Sequence, residues 1–239
     1  MPGKVSSKTN KGIVTNIRHQ IRKRRFFLLL VSSLLVLLIP GFLDTSSFSD
    51  LLFFACLSFL FIQSMIVATQ SGSKSRKFRF LVVFLMIVVT WLEPAGLDNQ
   101  AVMILRLVAM IVFFSFVSYS LLRFLSQSSE VNSDMLLAAI NIYLIMGIVA
   151  GYLAHLFFVL DPNAFSFPKY IVTPRFTDFI YYSFISMATV GYGDIVPATR
   201  QTQTFSYFIA IIGQLYLAII IAIIVGKYAT SSKSARKSK

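Results

Sequence analysis

The residues best suited to chemistry in this chain are Thr189-Val190-Gly191-Tyr192-Gly193-Asp194. Glycines at alternate positions let successive residues take backbone conformations of opposite hand at no steric cost. Successive carbonyl oxygens can then point toward one axis, and the Thr189 hydroxyl adds an oxygen at the base of the ladder. Such a strand is a row of oxygens without charge, suited to replacing the water shell of a cation. One strand cannot surround an ion, whereas several arranged around an axis can. The same letters also serve as an ordinary turn in a soluble protein, so the surrounding elements decide between the two.

Those elements are apolar. The chain has 239 residues, 56% of them hydrophobic, with 24 Phe against 9 acidic residues. Charged residues make up 13%, about half the share of an average soluble domain. The formal charge of +13 would suit a nucleic-acid binder, but its placement argues against one. Lys4, Lys8, Lys11, Arg18, Arg22, Lys23, Arg24 and Arg25 precede the first apolar run. Lys227, Lys233, Arg236, Lys237 and Lys239 follow the last. Basic residues there flank membrane spans and touch anionic lipid at the inner leaflet. The single cysteine, Cys56, lies within an apolar run, which leaves no disulfide framework or metal cluster.

Crossing about 30 Å of hydrocarbon takes roughly 20 residues. The sequence predicts an all-α membrane protein with spans at 26–43, 51–69, 78–92, 101–122, 135–160 and 204–226. The third is short and carries Arg79 near its start, a residue able to snorkel. Asp44 and Asp50 occupy the first connection, Lys74, Arg76, Lys77 and Arg79 the second, and Glu93 and Asp98 the third. The alternation predicts that both termini are cytoplasmic, in the plasma membrane. Pro40-Gly41-Phe42 offers no cleavage site of the signal-peptide kind. Residues 1–25 form a basic N-terminus, in which Ile13, Ile17 and Ile21 fit either an interfacial helix or a solvated tail.

The remaining organisation follows from these runs. Residues 26–122 form four helices, 123–134 a cytoplasmic linker, 135–226 a second domain, and 227–239 a basic tail too short to fold alone. Within the second domain, an outer helix at 135–160 precedes a Pro-punctuated turret at 161–176. A helix-length segment at 177–188 has Thr177 or Asp178 as its N-cap. The strand 189–194 comes next, then the span 204–226. Non-helical backbone at membrane depth is tolerated only when buried in protein or lining water. A re-entrant pore helix and filter loop between helices five and six meet that demand. The carbonyl end of the pore helix then faces the place where a cation waits.

Thr177–Gly226 resembles the pore domain of tetrameric potassium channels, through TVGYGD and the stretch GQLYLAIIIAIIVG, the latter similar to the inner helix of prokaryotic members of the voltage-gated-like superfamily. The four preceding helices match only in number and order. The resemblance implies a homotetramer that passes K+ passively, with no cofactor and no enzymatic step. It implies K+ sites at the carbonyls of Thr189, Val190, Gly191 and Tyr192, with Gly193 completing the filter. It also implies an aromatic cuff in which Tyr181 and Tyr182 hydrogen-bond Asp194 and Tyr192 from behind. Gly213 matches a gating hinge, although close helix packing explains a glycine there as well. Ala218, Ile219, Ala222 and Ile223 recur at helical spacing as candidates for the inner mouth. The chain departs from the pattern at Ile185, where some relatives have a glutamate, and at Ala188, where threonine is common.

A voltage sensor needs arginines at every third position of its fourth helix. Here Arg106 is the single basic residue of that span before Arg123, and Met103, Ala109 and Val112 hold the alternate positions. Steep voltage gating is therefore not expected. Arg106 is read as a snorkelling or pairing residue facing Glu93 or Asp98, His155 as a buried hydrogen-bonding residue, and Asn141 as a bond between helices. Two other functions remain open at this point. One is a non-conducting subunit that modifies another pore, and the other is a weakly voltage-dependent channel using Arg106.

Overall fold

The computed structural model describes residues 24–42, 47–68, 76–92, 99–128 and 132–237, the side chains of 47–50, 76–79 and 228–237 excepted. The readings for Ile13, Ile17, Ile21, Asp44, Lys74, Glu93 and Asp98 lie outside these residues. The elements run α1 Arg25–Phe42, α2 Ser47–Ala68, α3 Arg76–Trp91, α4 Gln100–Gln127, α5 Ser133–Leu160, β1 Phe165–Ser166, α6 Phe176–Met187, β2 Val196–Pro197 and α7 Arg200–Lys237. Within them, five helices are long and apolar enough to cross a membrane, and α3 contributes a shorter apolar stretch at Phe80–Trp91. The described residues are mostly helical, with several helices of the length and apolarity expected of a multi-pass membrane protein.

Helix ends depart from the apolar runs because caps, not hydropathy, set them. α4 continues to Gln127, so only a short connection remains of the linker expected at 123–134. The Asn99 side chain accepts from the Ala101 amide at 3.2 Å, and the Asn132 side chain accepts from the Met135 amide at 2.9 Å. These side chains satisfy amides that a helix start leaves unpaired. α7 begins at Arg200 rather than at 204 and runs past Gly226. Its polar first turn is held by Thr199 and Thr202, whose amides and hydroxyls exchange bonds at 3.2 and 3.4 Å. This reciprocal pattern is that of a capping box.

Two cores follow. The larger gathers α1–α4 around Leu29, Leu60, Phe61, Phe114 and Val117, and extends along α5 through Ile142, Ile145 and Ile148. The smaller joins Ala150 and Ala154 of α5 to Phe179 and Tyr182 of α6 and to Phe205 and Ile209 of α7. The four-helix bundle thus packs on α5, chiefly through α4 and α1. Asn141 makes a cross-helix bond: its amide donates to the Phe26 carbonyl at 3.0 Å. The Tyr216 hydroxyl ties α7 to α5 by donating to the Ala139 carbonyl at 2.7 Å.

Candidate functional site

The segment between α5 and α7 is a closed excursion. β1 and β2 pair antiparallel, with Phe165 opposite Pro197 and Ser166 opposite Val196. The Ala164 carbonyl accepts from both the Ala198 amide, at 2.9 Å, and the Thr202 hydroxyl, at 2.8 Å. The chain therefore leaves and returns at one place, and everything between is held to a fixed base.

α6 fills the excursion. The cap position falls on Arg175, not on Thr177 or Asp178; Asp178 sits three residues in, and its carboxylate accepts from the Arg175 amide at 2.7 Å. The helix is wedged between α5 and α7 at three glycines. A Cβ on Gly147 would lie 2.3 Å from the Phe184 ring, and one on Gly151 2.7 Å from Ile180. One on Gly213 would lie 2.4 Å from both the Met187 side chain and its carbonyl oxygen. Between the two α5 glycines, the Ser183 hydroxyl donates to the Gly147 carbonyl at 2.8 Å. Gly213 thus stands at a close approach to α6 within a continuous helix. Gly147 and Gly151 carried no expectation, yet they form a Gly-x-x-x-Gly pattern, a known signal for close helix packing in membranes.

Beyond Met187 the backbone alternates in hand. Thr189, Gly191 and Gly193 have φ of 58°, 57° and 78°, while Val190 and Tyr192 keep negative values. The left-handed region is costly for a threonine, so Thr189 must be held there by its neighbours. Its amide donates to the Ser186 carbonyl at 3.0 Å. The Val190 and Gly191 amides both donate to the Ile185 carbonyl, at 2.8 and 3.2 Å. The Gln214 side chain donates to the Met187 carbonyl at 3.4 Å. The last carbonyls of α6 therefore anchor the strand, beyond any effect of the helix dipole. Position 185 contributes through its backbone, to which side-chain identity is irrelevant. Gly191 and Gly193 have open space where a Cβ would stand; they are needed for φ, whereas Gly147, Gly151 and Gly213 are needed for room.

The two tyrosines divide their work. The Tyr181 hydroxyl donates to Asp194 at 2.6 Å, and the other Asp194 oxygen accepts from the Ile195 amide at 2.9 Å. The bond from Tyr181 holds the Asp194 carboxyl below its ordinary range. The same bond, with burial and the carboxylate charge, pushes the Tyr181 phenol up to about 12. Tyr182 is buried and bonds Ser206 of α7, not the strand, so the bond expected from it to the strand gives way to a link between α6 and α7. Burial forces this, because the Tyr182 ring packs edge-on against Phe165.

Residues 188–193 are exposed on this chain, Val190 at 50% and Tyr192 at 72%. Ala218, Ile219, Ala222 and Ile223 lie on exposed faces of α7, with Ile220 buried on the other side. His155 is buried and stacks on Phe179 with ring centroids 4.7 Å apart. Arg106 of α4 lies within electrostatic reach of it.

An uncharged oxygen strand on a clamped base, exposed along its length, suits the passage of cations. Comparison with curated proteins and with solved structures gives no match. A protein-family model described as "Ion channel" matches residues 138–229, from the start of α5 through the excursion and most of α7. Over these residues the chain is similar to ion channels.

Proposed function

We propose that the protein is the subunit of a homotetrameric potassium-selective channel that conducts passively and is not steeply voltage-gated. The observation that carries this reading is the alternation of φ at Thr189, Gly191 and Gly193 on a strand hung from the end of α6. The carbonyls of Thr189, Val190, Gly191 and Tyr192 take the place of water around K+, since rings of carbonyls from four chains are what such filters use. Four copies also give cover to Val190 and Tyr192, apolar and aromatic side chains that one chain leaves open. Ala218, Ile219, Ala222 and Ile223 of α7 then line the inner mouth as an apolar constriction. Both termini face the cytoplasm, and the flanking Lys and Arg residues sit against anionic lipid of the plasma membrane.

The test is ion flux into liposomes containing the purified full chain. Potassium flux with sodium largely excluded is expected. Gly191→Ala, which forces a Cβ into the left-handed region at about 1–2 kcal/mol, should remove selective flux while leaving the protein folded. A folded tetramer that passes no potassium under any voltage or lipid composition sinks the proposal.

A further inference from the structure

Within helices α1–α4, four buried oxygens have no hydrogen-bond partner among the described residues: Ser33 Oγ, Gln63 Oε1, Ser64 Oγ and Ser118 Oγ. Ser33 and Ser64 are fully buried, Gln63 is 6% exposed and Ser118 9%. They come from α1, α2 and α4, and the contacts between those helices set them at one depth. α2 meets α4 where the Phe61 and Phe114 rings lie 5.6 Å apart. Ser64 is three residues further along α2, and Ser118 four further along α4. α1 meets α4 where Phe26 and Phe124 lie 4.8 Å apart. Ser33 is seven residues beyond Phe26, and Ser118 six residues before Phe124. At about 1.5 Å per residue these positions agree to within about 3 Å along the bundle.

The layer differs from those around it. On one side stand Phe61, Phe113 and Phe114, packed ring on ring at 5.3 to 5.6 Å. On the other stand Phe26, Phe124 and Leu125. Between them stand three serines, whose side chains are much smaller than the rings on either side. The Gln63 oxygen only accepts, while each hydroxyl donates once and accepts twice. The set carries no charge, so a bare cation would find no counter-charge in a low-dielectric interior. Water, with two donors and two acceptors, complements it, and buried water characteristically bonds polar groups that lack protein partners.

We propose that Ser33, Gln63, Ser64 and Ser118 form a binding site for ordered water inside the four-helix bundle, closed on one side by the Phe61–Phe113–Phe114 cluster. The site is independent of what the pore conducts. Proton-detected solid-state NMR of the full chain in lipid bilayers tests it. Magnetisation transfer from water should reach the side chains of Ser33, Gln63, Ser64 and Ser118, and should not reach Phe61 or Phe114. No transfer to any of the four overturns the site. In the Ser64→Val, Ser118→Val double variant, whose added methyl groups fill the space, transfer to Ser33 and Gln63 should be lost. Transfer that persists there at wild-type intensity overturns the assignment of these four side chains to one site. Should that variant not fold, the wild-type measurement decides alone.

Discussion

The two halves of the chain hold themselves together by different means. The pore half, from α5 to α7, is fitted backbone to backbone: Gly147, Gly151 and Gly213 admit α6 at distances no side chain allows, and carbonyls of Gly147 and Ala164 accept from residues far along the chain. The bundle half, α1 to α4, relies on large apolar side chains such as Phe61, Phe113 and Phe114, and leaves several buried hydroxyls without partners among the described residues. On the proposed reading the carbonyls of the strand hold an ion, and fixed backbone of that kind calls for the first construction. A bundle that positions no such group tolerates the second.

The sharpest way to break this contrast is to add one methyl group to each half. Gly213→Ala drives a carbon to 2.4 Å from the Met187 carbonyl and should cost about 3 kcal/mol. Thermal unfolding in detergent and liposome flux should both show the loss. Gly41→Ala in α1, with nothing within 4 Å, should stabilise its helix by up to about 1 kcal/mol. Equal effects at the two positions would dissolve the distinction.

Asn141 tests the seam between the halves. Asn141→Ala removes the bond to the Phe26 carbonyl, worth about 0.6 to 1.7 kcal/mol in a membrane interior. The unfolding temperature should fall, with selectivity for potassium over sodium unchanged, since no filter residue touches this site. A loss of selectivity would show that the bundle shapes the strand after all.

A smaller effect lies at Tyr181. Because Asp194 is held below its ordinary range by the Tyr181 bond, that bond contributes above the usual carboxylate range and is lost as pH falls through the lowered titration of Asp194. Tyr181 keeps its proton to about 12, so the donor is lost only as pH rises through that value. Flux should therefore hold across the neutral range and fall in acid. Tyr181→Phe should move the acid limit upward, and an unmoved limit would show that Asp194 does not report on the strand. The smallest effect is expected at Arg106. Arg106→Gln should leave the voltage dependence of conductance as it was, and a displaced activation curve would favour the weakly voltage-dependent reading.

The apolar runs made α1, α2, α4, α5 and α7 legible, because hydrocarbon demands a length that composition reveals. Their ends were not, since Asn99, Asn132 and Thr199 set them through local bonds that hydropathy ignores. At the site, the strand at 189–194 was legible from its glycines. The seat of α6 was readable too, in Gly147-x-x-x-Gly151, a pattern that matters only once a partner helix is known to lie there. The cuff was half legible: both tyrosines sit on α6, and only the packed helix separates the one reaching Asp194 from the one turned toward Ser206.

The sequence by itself determined the chemistry on offer, an uncharged oxygen strand set between two apolar helices, because glycine spacing and hydrophobic length are properties of the chain alone. Tertiary structure decided which glycines serve conformation and which serve proximity. Gly191 and Gly193 are fixed by φ, a local quantity that their own spacing signals. Gly147, Gly151 and Gly213 are fixed by what stands against them, and no residue's type says which neighbour will come within 3 Å of it.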